Sequence, residues 1–192
     1  MKTQNLVTVI ILLVVFYCCK SNINDTEVSD NIELEKMVQK DQETRQSQND
    51  EPLESIDKEH RKRVLEMLAQ GKIKTVNDKY NAALILQHTN LIICNGKLMS
   101  ISSENYYLAY ALSKSAMELG SKGAGTLAAA TYDRYLLYTE GYQKYGTQKV
   151  YEKETDQMIW APIDSVTSDE EREKFGVKPL LELLKECKMQ RR

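Results

Sequence analysis

From residue 77 to residue 148 apolar side chains recur every three or four positions, the spacing that lays them along one face of a helix. Three consecutive helices are predicted there. Thr75 with Asp78 three residues on has the spacing of a capping box variant and opens the first, which runs to about Cys94 before Asn95-Gly96 breaks it. Ser102 or Ser103 caps the second, with Glu104 in the favourable first turn and Tyr107, Leu108, Ala111, Leu112, Ala116 and Leu119 on its packing face. Gly120 closes it. The third runs from Ala124 to about Tyr138, where Ala128, Ala129 and Ala130 admit a close neighbour and Leu127, Tyr135, Leu136 and Leu137 supply volume.

Patterns on either side extend the picture. An earlier helix is predicted over residues 56–70, with Ile56, His60, Val64 and Leu68 on one stripe and Gly71 at its end. His60 reads as a partly exposed packing or capping residue. Downstream, residues 148–152 and 157–161 alternate apolar and polar and predict a small hairpin, with Trp160 packed on the helical body. Ser168 and Glu171 then make a capping box for a short helix stopped by Gly176, and Pro179 starts a last helix bearing Leu180, Leu181, Leu183, Leu184 and Cys187. The expected fold is mainly α: a compact helical bundle with a β-hairpin near the C-terminus. Its central helix pair resembles the hairpins of tetratricopeptide-like repeats, although one hairpin is not an array.

The amino end has a different texture. Met1-Lys2 and the apolar run over residues 6–19 read as a signal peptide, too short for a bilayer span. The cysteine closing the run resembles the lipobox of bacterial lipoproteins, although Tyr17 stands where a small residue is preferred before Cys18. Cys19, which follows the small Cys18, is therefore the expected lipid anchor, with Cys18 as the alternative. Residues 20–55 are rich in polar side chains and read as a flexible tether, with at most a transient helix over residues 32–39. The expected organisation is signal peptide 1–19, tether 20–55 and a single helical domain 56–192. The expected place is the cell envelope, exported and bound to the outer membrane or the periplasmic face through the N-terminal lipid.

Charge and cysteine content narrow the function classes. With a formal net charge of -2 and basic residues mixed among acidic ones, there is no stripe that would track a phosphate backbone, so nucleic acid is not an expected partner. Cys94 and Cys187 read either as one disulfide or as two buried thiols inside helices. No histidine pair at metal-ligand spacing, serine nucleophile elbow or glycine-rich phosphate loop is present, and no cofactor or metal is expected.

A few polar residues interrupt the apolar faces. His88 and Gln87 stand over Leu84 and Ala83, and Asp133 has Ala129, Ala130, Leu136 and Leu137 three and four positions away. A carboxylate there needs a partner, because burying a lone charge is costly. His88 is the candidate acid or base and Asp133 the group expected to orient it. Arg134 lies about 100° further round the helix and is free to reach the loop or a ligand. Tyr145, Thr147 and Gln148, with Gly146 between them, complete the candidate ligand-binding set with Gln87 and Arg134. The same residues are also consistent with a satisfied packing network.

The combination Gln87-His88, Asp133-Arg134 and Tyr145-Gly146-Thr147-Gln148 resembles the signature of a family of bacterial domains of unknown function. Asp78, Pro162, Arg172, Gly176 and Val177 match its framework, and the likeness covers roughly residues 57–184. It implies that these positions form one unit in an exported or anchored protein and brings no reaction with it. Two functional readings follow. One is an envelope binding or structural module for a partner protein, peptide or glycan, with Tyr106, Tyr110, Tyr135 and Tyr142 on an exposed concave face. The alternative is a hydrolase or transferase using His88 with Asp133.

Overall fold

The computed structural model describes residues 28–46, 53–94 and 97–190 of the 192-residue chain. The expected signal peptide and both candidate anchors, Cys18 and Cys19, lie outside them. The described residues are mainly helical, with two small antiparallel hairpins. In order they form α1 (Ile32–Gln46), α2 (Leu53–Ala69), α3 (Val76–Leu86), β1 (Leu91–Cys94), β2 (Lys97–Ser100), α4 (Ser103–Glu118) and α5 (Ala124–Thr139). They continue with β3 (Lys149–Glu152), β4 (Gln157–Trp160), α6 (Asp169–Lys174) and α7 (Leu180–Gln190). No described helix is long and apolar enough to cross a membrane.

The bundle grows around α4 and α5, the most extensively packed pair, with α3 laid against α4 and with α1 and α2 on α3. Leu34, Val64, Met67, Ala82, Ala83, Ile85, Leu86, Ala109 and Leu127 form its main core. A smaller cluster of Ala128, Ala129, Tyr145 and Phe175 joins α5 to the C-terminal segment. Local chemistry sets several boundaries as the pattern predicts. The Thr75 hydroxyl accepts from the Asp78 N–H at 3.0 Å, and Asp78 Oδ2 accepts from the Thr75 N–H at 3.0 Å, the reciprocal capping box. At α6 the Ser168 hydroxyl accepts from the Glu171 N–H at 3.2 Å.

Four expectations are corrected. The flexible tether over residues 20–55 does not hold for residues 28–46, which contain a full helix. Leu34 is buried in the core with Met37 and Val38 packed beside it, so a sparse apolar stripe suffices. The Asn31 carboxamide accepts from the Leu34 N–H at the start of α1, and the Asn31 N–H donates to Asp78 Oδ1 at 2.7 Å. Partners 47 residues away in sequence hold a segment whose composition alone suggests disorder.

The helix expected to reach Cys94 stops at Leu86. The carbonyls beyond are taken by side chains of other helices: Gln87 O by Arg134, His88 O by Arg61 and Thr89 O by Tyr106. Residues 91–100 form a second hairpin with Leu91 opposite Ser100 and Cys94 opposite Lys97. Cys94 is an exposed free thiol on β1, neither bridged nor inside a helix. The tyrosine face is also revised. Tyr106 is buried, while Tyr110 and Tyr135 are partly buried in a row with Tyr107 and Tyr132; Tyr142 is exposed.

Candidate functional site

At the end of α3 the fold gathers a polar cleft of about 360 Å³ lined by Arg45, Asp57, Gln87, His88, Thr89, Asn90, Leu91, Tyr106, Arg134, Tyr138 and Gln148. Four of the residues picked from the sequence, Gln87, His88, Arg134 and Gln148, are therefore brought to one wall. The other three, Asp133, Tyr145 and Thr147, belong to a different structure.

Asp133 is buried in α5 and faces the 143–148 loop. Its Oδ1 accepts from the Lys144 and Tyr145 N–H groups at 2.7 and 2.8 Å, and its Oδ2 from the Thr147 N–H and hydroxyl at 2.9 and 2.8 Å. Burial pushes its carboxyl above the ordinary range, and these four donors offset that only in part. The loop is closed further by Gln143, whose Nε2 donates to Gln148 O and Ala161 O and whose Oε1 accepts the Gln148 N–H. Arg172, fully buried, donates to Tyr145 O at 2.8 Å. At Gly146, φ is +82° and an added Cβ would lie 2.7 Å from Leu183, so only glycine fits. The expected His88–Asp133 pair does not form, because this carboxylate is consumed by the loop.

His88 instead faces Asp41, from the helix that composition disguises. Nδ1 stands 3.2 Å from Asp41 Oδ2, within ion-pair reach though not in line for a well-directed hydrogen bond. Asp41 is 2% exposed and His88 17%, so the carboxylate lies behind the ring and the ring edge reaches the cleft. Nδ1 is itself buried, which makes Nε2 the nitrogen left for chemistry.

Arg45, one turn beyond Asp41 on α1, donates to Asp41 Oδ1 at 3.1 Å and also to Asp57 on α2. Burial works to raise the Asp41 carboxyl, but His88 and Arg45 together outweigh it and hold it at about 2. Asp57 goes the other way: burial pushes it up despite the same Arg45 charge. One ligand atom from each of Asp41, Asp57 and His88 lies within 4.8 Å of the others, close enough to hold a metal ion, a grouping the sequence reading did not foresee. The Arg45 guanidinium already bonds both carboxylates and fills the place of a cation there.

Across the cleft Arg134 is positioned by neutral groups only. Its Nε donates to Gln148 Oε1 at 3.1 Å, and its Nη1 to Gln87 O and Oε1 at 3.2 and 3.0 Å. Burial pulls its pKa down, with Tyr106 and Tyr138 opposing and Arg45 adding to the pull. Among the described residues no carboxylate pairs with it. A hollow beside His60 differs on this point, since its Arg63 is already bonded to Glu33 and Glu66. His60 is more buried than expected, and burial lowers its pKa.

No protein-family model, curated protein or solved structure matches the chain.

The residues missed from sequence are Asp41, Arg45, Asp57 and Tyr138, while Tyr106 was expected on an exposed face and instead lies buried at the cleft. A signal for the first two did exist. Leu34, Met37, Val38 and Asp41 lie three or four apart with Arg45 one turn on, a helical face carrying an acid–base pair.

Proposed function

We propose that the cleft is an acid–base site, with the chain acting as a hydrolase or transferase. His88 exchanges the proton through Nε2, and Asp41 replaces Asp133 as the carboxylate that stands behind the ring. The observation that supports this most is the 3.2 Å approach of a buried carboxylate to the buried Nδ1 of a histidine whose other edge lines a cleft. With Nδ1 protonated toward Asp41, the lone pair of Nε2 is free to accept a proton from a nucleophile and return it to a leaving group. Asp41 also stabilises the imidazolium formed midway. Asp57 supplies a second carboxyl on the cleft wall, moved in the opposite direction from Asp41, and such a divergence separates an acid from a base.

The binding or structural reading has less support, because Tyr106 points its hydroxyl into the bundle at Thr89 O and its neighbours pack on one another. Export and lipidation at Cys19, or at Cys18, remain part of the proposal. With α1 beginning at Ile32, such an anchor would hold the cleft near the membrane surface. The test is turnover of chromogenic carboxylic esters, amides and phosphate monoesters by the full chain and by His88→Asn. Loss of about a hundredfold or more in the variant is expected for a general acid–base residue. Turnover that His88→Asn leaves intact, or none by the parent protein on all three classes, would overturn the reading.

A further inference from the structure

Arg134 raises a question that acid–base chemistry alone does not answer. A guanidinium drawn out of water is costly unless an anion compensates it, and its usual partner is a carboxylate. Here the fold supplies amide oxygens instead. Gln87 and Gln148 take Nη1 and Nε, fixing the plane of the group without neutralising its charge. That leaves the Nη2 donors for a ligand. Arg61, buried on α2, is likewise held by the His88 carbonyl and the Asn90 carboxamide, and has no ion-pair partner among the described residues. Arg45, by contrast, is balanced by two carboxylates.

We propose that the cleft binds a small molecule by a terminal oxyanion, a carboxylate or a phosphate monoester, seated against Arg134 with the reacting bond toward His88. That the bound molecule reacts rests on the acid–base reading, but the anion site stands on its own geometry. Guanidinium donors suit both kinds of oxyanion. Tyr138, backed by Tyr106 at a ring separation of 5.9 Å, and Leu91 offer the apolar wall against which the body of such a molecule would lie. The volume of about 360 Å³ sets its scale as a metabolite-sized group.

The test is a titration of the full chain, followed by NMR at the Arg134 Nε–H, with inorganic phosphate in one arm and benzoate in the other. A saturable shift with one of them is expected and identifies the kind of oxyanion. Arg134→Gln should weaken that binding by at least about tenfold, the value of a hydrogen bond between charged partners. The titration of the parent protein needs no variant to fold. No saturable shift with either anion overturns the proposal and leaves the acid–base reading to the activity of His88→Asn. Anion binding by a protein whose turnover ignores His88 keeps the oxyanion site and removes the acid–base reading.

Discussion

Asp133 and Arg134 are neighbours on one helix, and the fold treats them in opposite ways. The carboxylate is met by four donors from the loop it faces, three of them backbone N–H groups. The guanidinium is met by neutral oxygens and no counter-charge. A group with every valence answered by its own chain holds the chain together, whereas one positioned but not neutralised is ready for something from outside. Both stand on apolar helix faces, and only their partners separate them.

The largest effect that sharpens this contrast is on stability. Asp133→Ala leaves three backbone donors without an acceptor, and at roughly 1–3 kcal/mol for each buried unsatisfied group the loss should be at least about 3 kcal/mol. Urea denaturation measures it; a loss below about 1 kcal/mol would mean that the loop is not held from Asp133.

Arg134→Met should behave differently. Exchanging an uncompensated, partly buried charge for an apolar side chain of similar length is expected to cost less than about 1.5 kcal/mol in the same assay. A cost equal to that of Asp133→Ala would erase the distinction between the two neighbours.

A third effect concerns pH. The Asp41 carboxyl is held at about 2 against an ordinary 3.8, so its contribution to stability is complete above the ordinary value and is lost as pH falls toward the lower one. Thermal unfolding followed across that window should show a steeper acid loss in the parent protein than in Asp41→Asn. Superimposable acid limbs would show that His88 and Arg45 do not hold this carboxylate.

Much of the scaffold was legible because its signals are local. Thr75 with Asp78, Ser168 with Glu171, and the stops at Gly71, Gly120 and Gly176 each declare themselves within a few residues. The grouping of Gln87, His88, Arg134 and Gln148 was legible from polar residues on apolar faces. The partner of His88 was not, because Asp41 lies in a stretch whose polar side chains look solvated until α2 and α3 arrive to pair with them. The end of α3 was hidden for the same reason: Arg61, Tyr106 and Arg134 take the carbonyls of residues 87–89 from three separate helices. Long-range partners of polar groups leave no periodicity to read.

That α1 carries Asp41 and Arg45 divides the site between two parts of the chain. A chain cut before Leu53 would retain Asp57 and Arg134 on its remaining helices and His88 just beyond α3, yet lack the carboxylate behind the imidazole and the cation between the two acids. Removal of residues 28–46 would thus silence the cleft without touching any residue of the helices that remain, and a peptide spanning those residues, added back, would restore it.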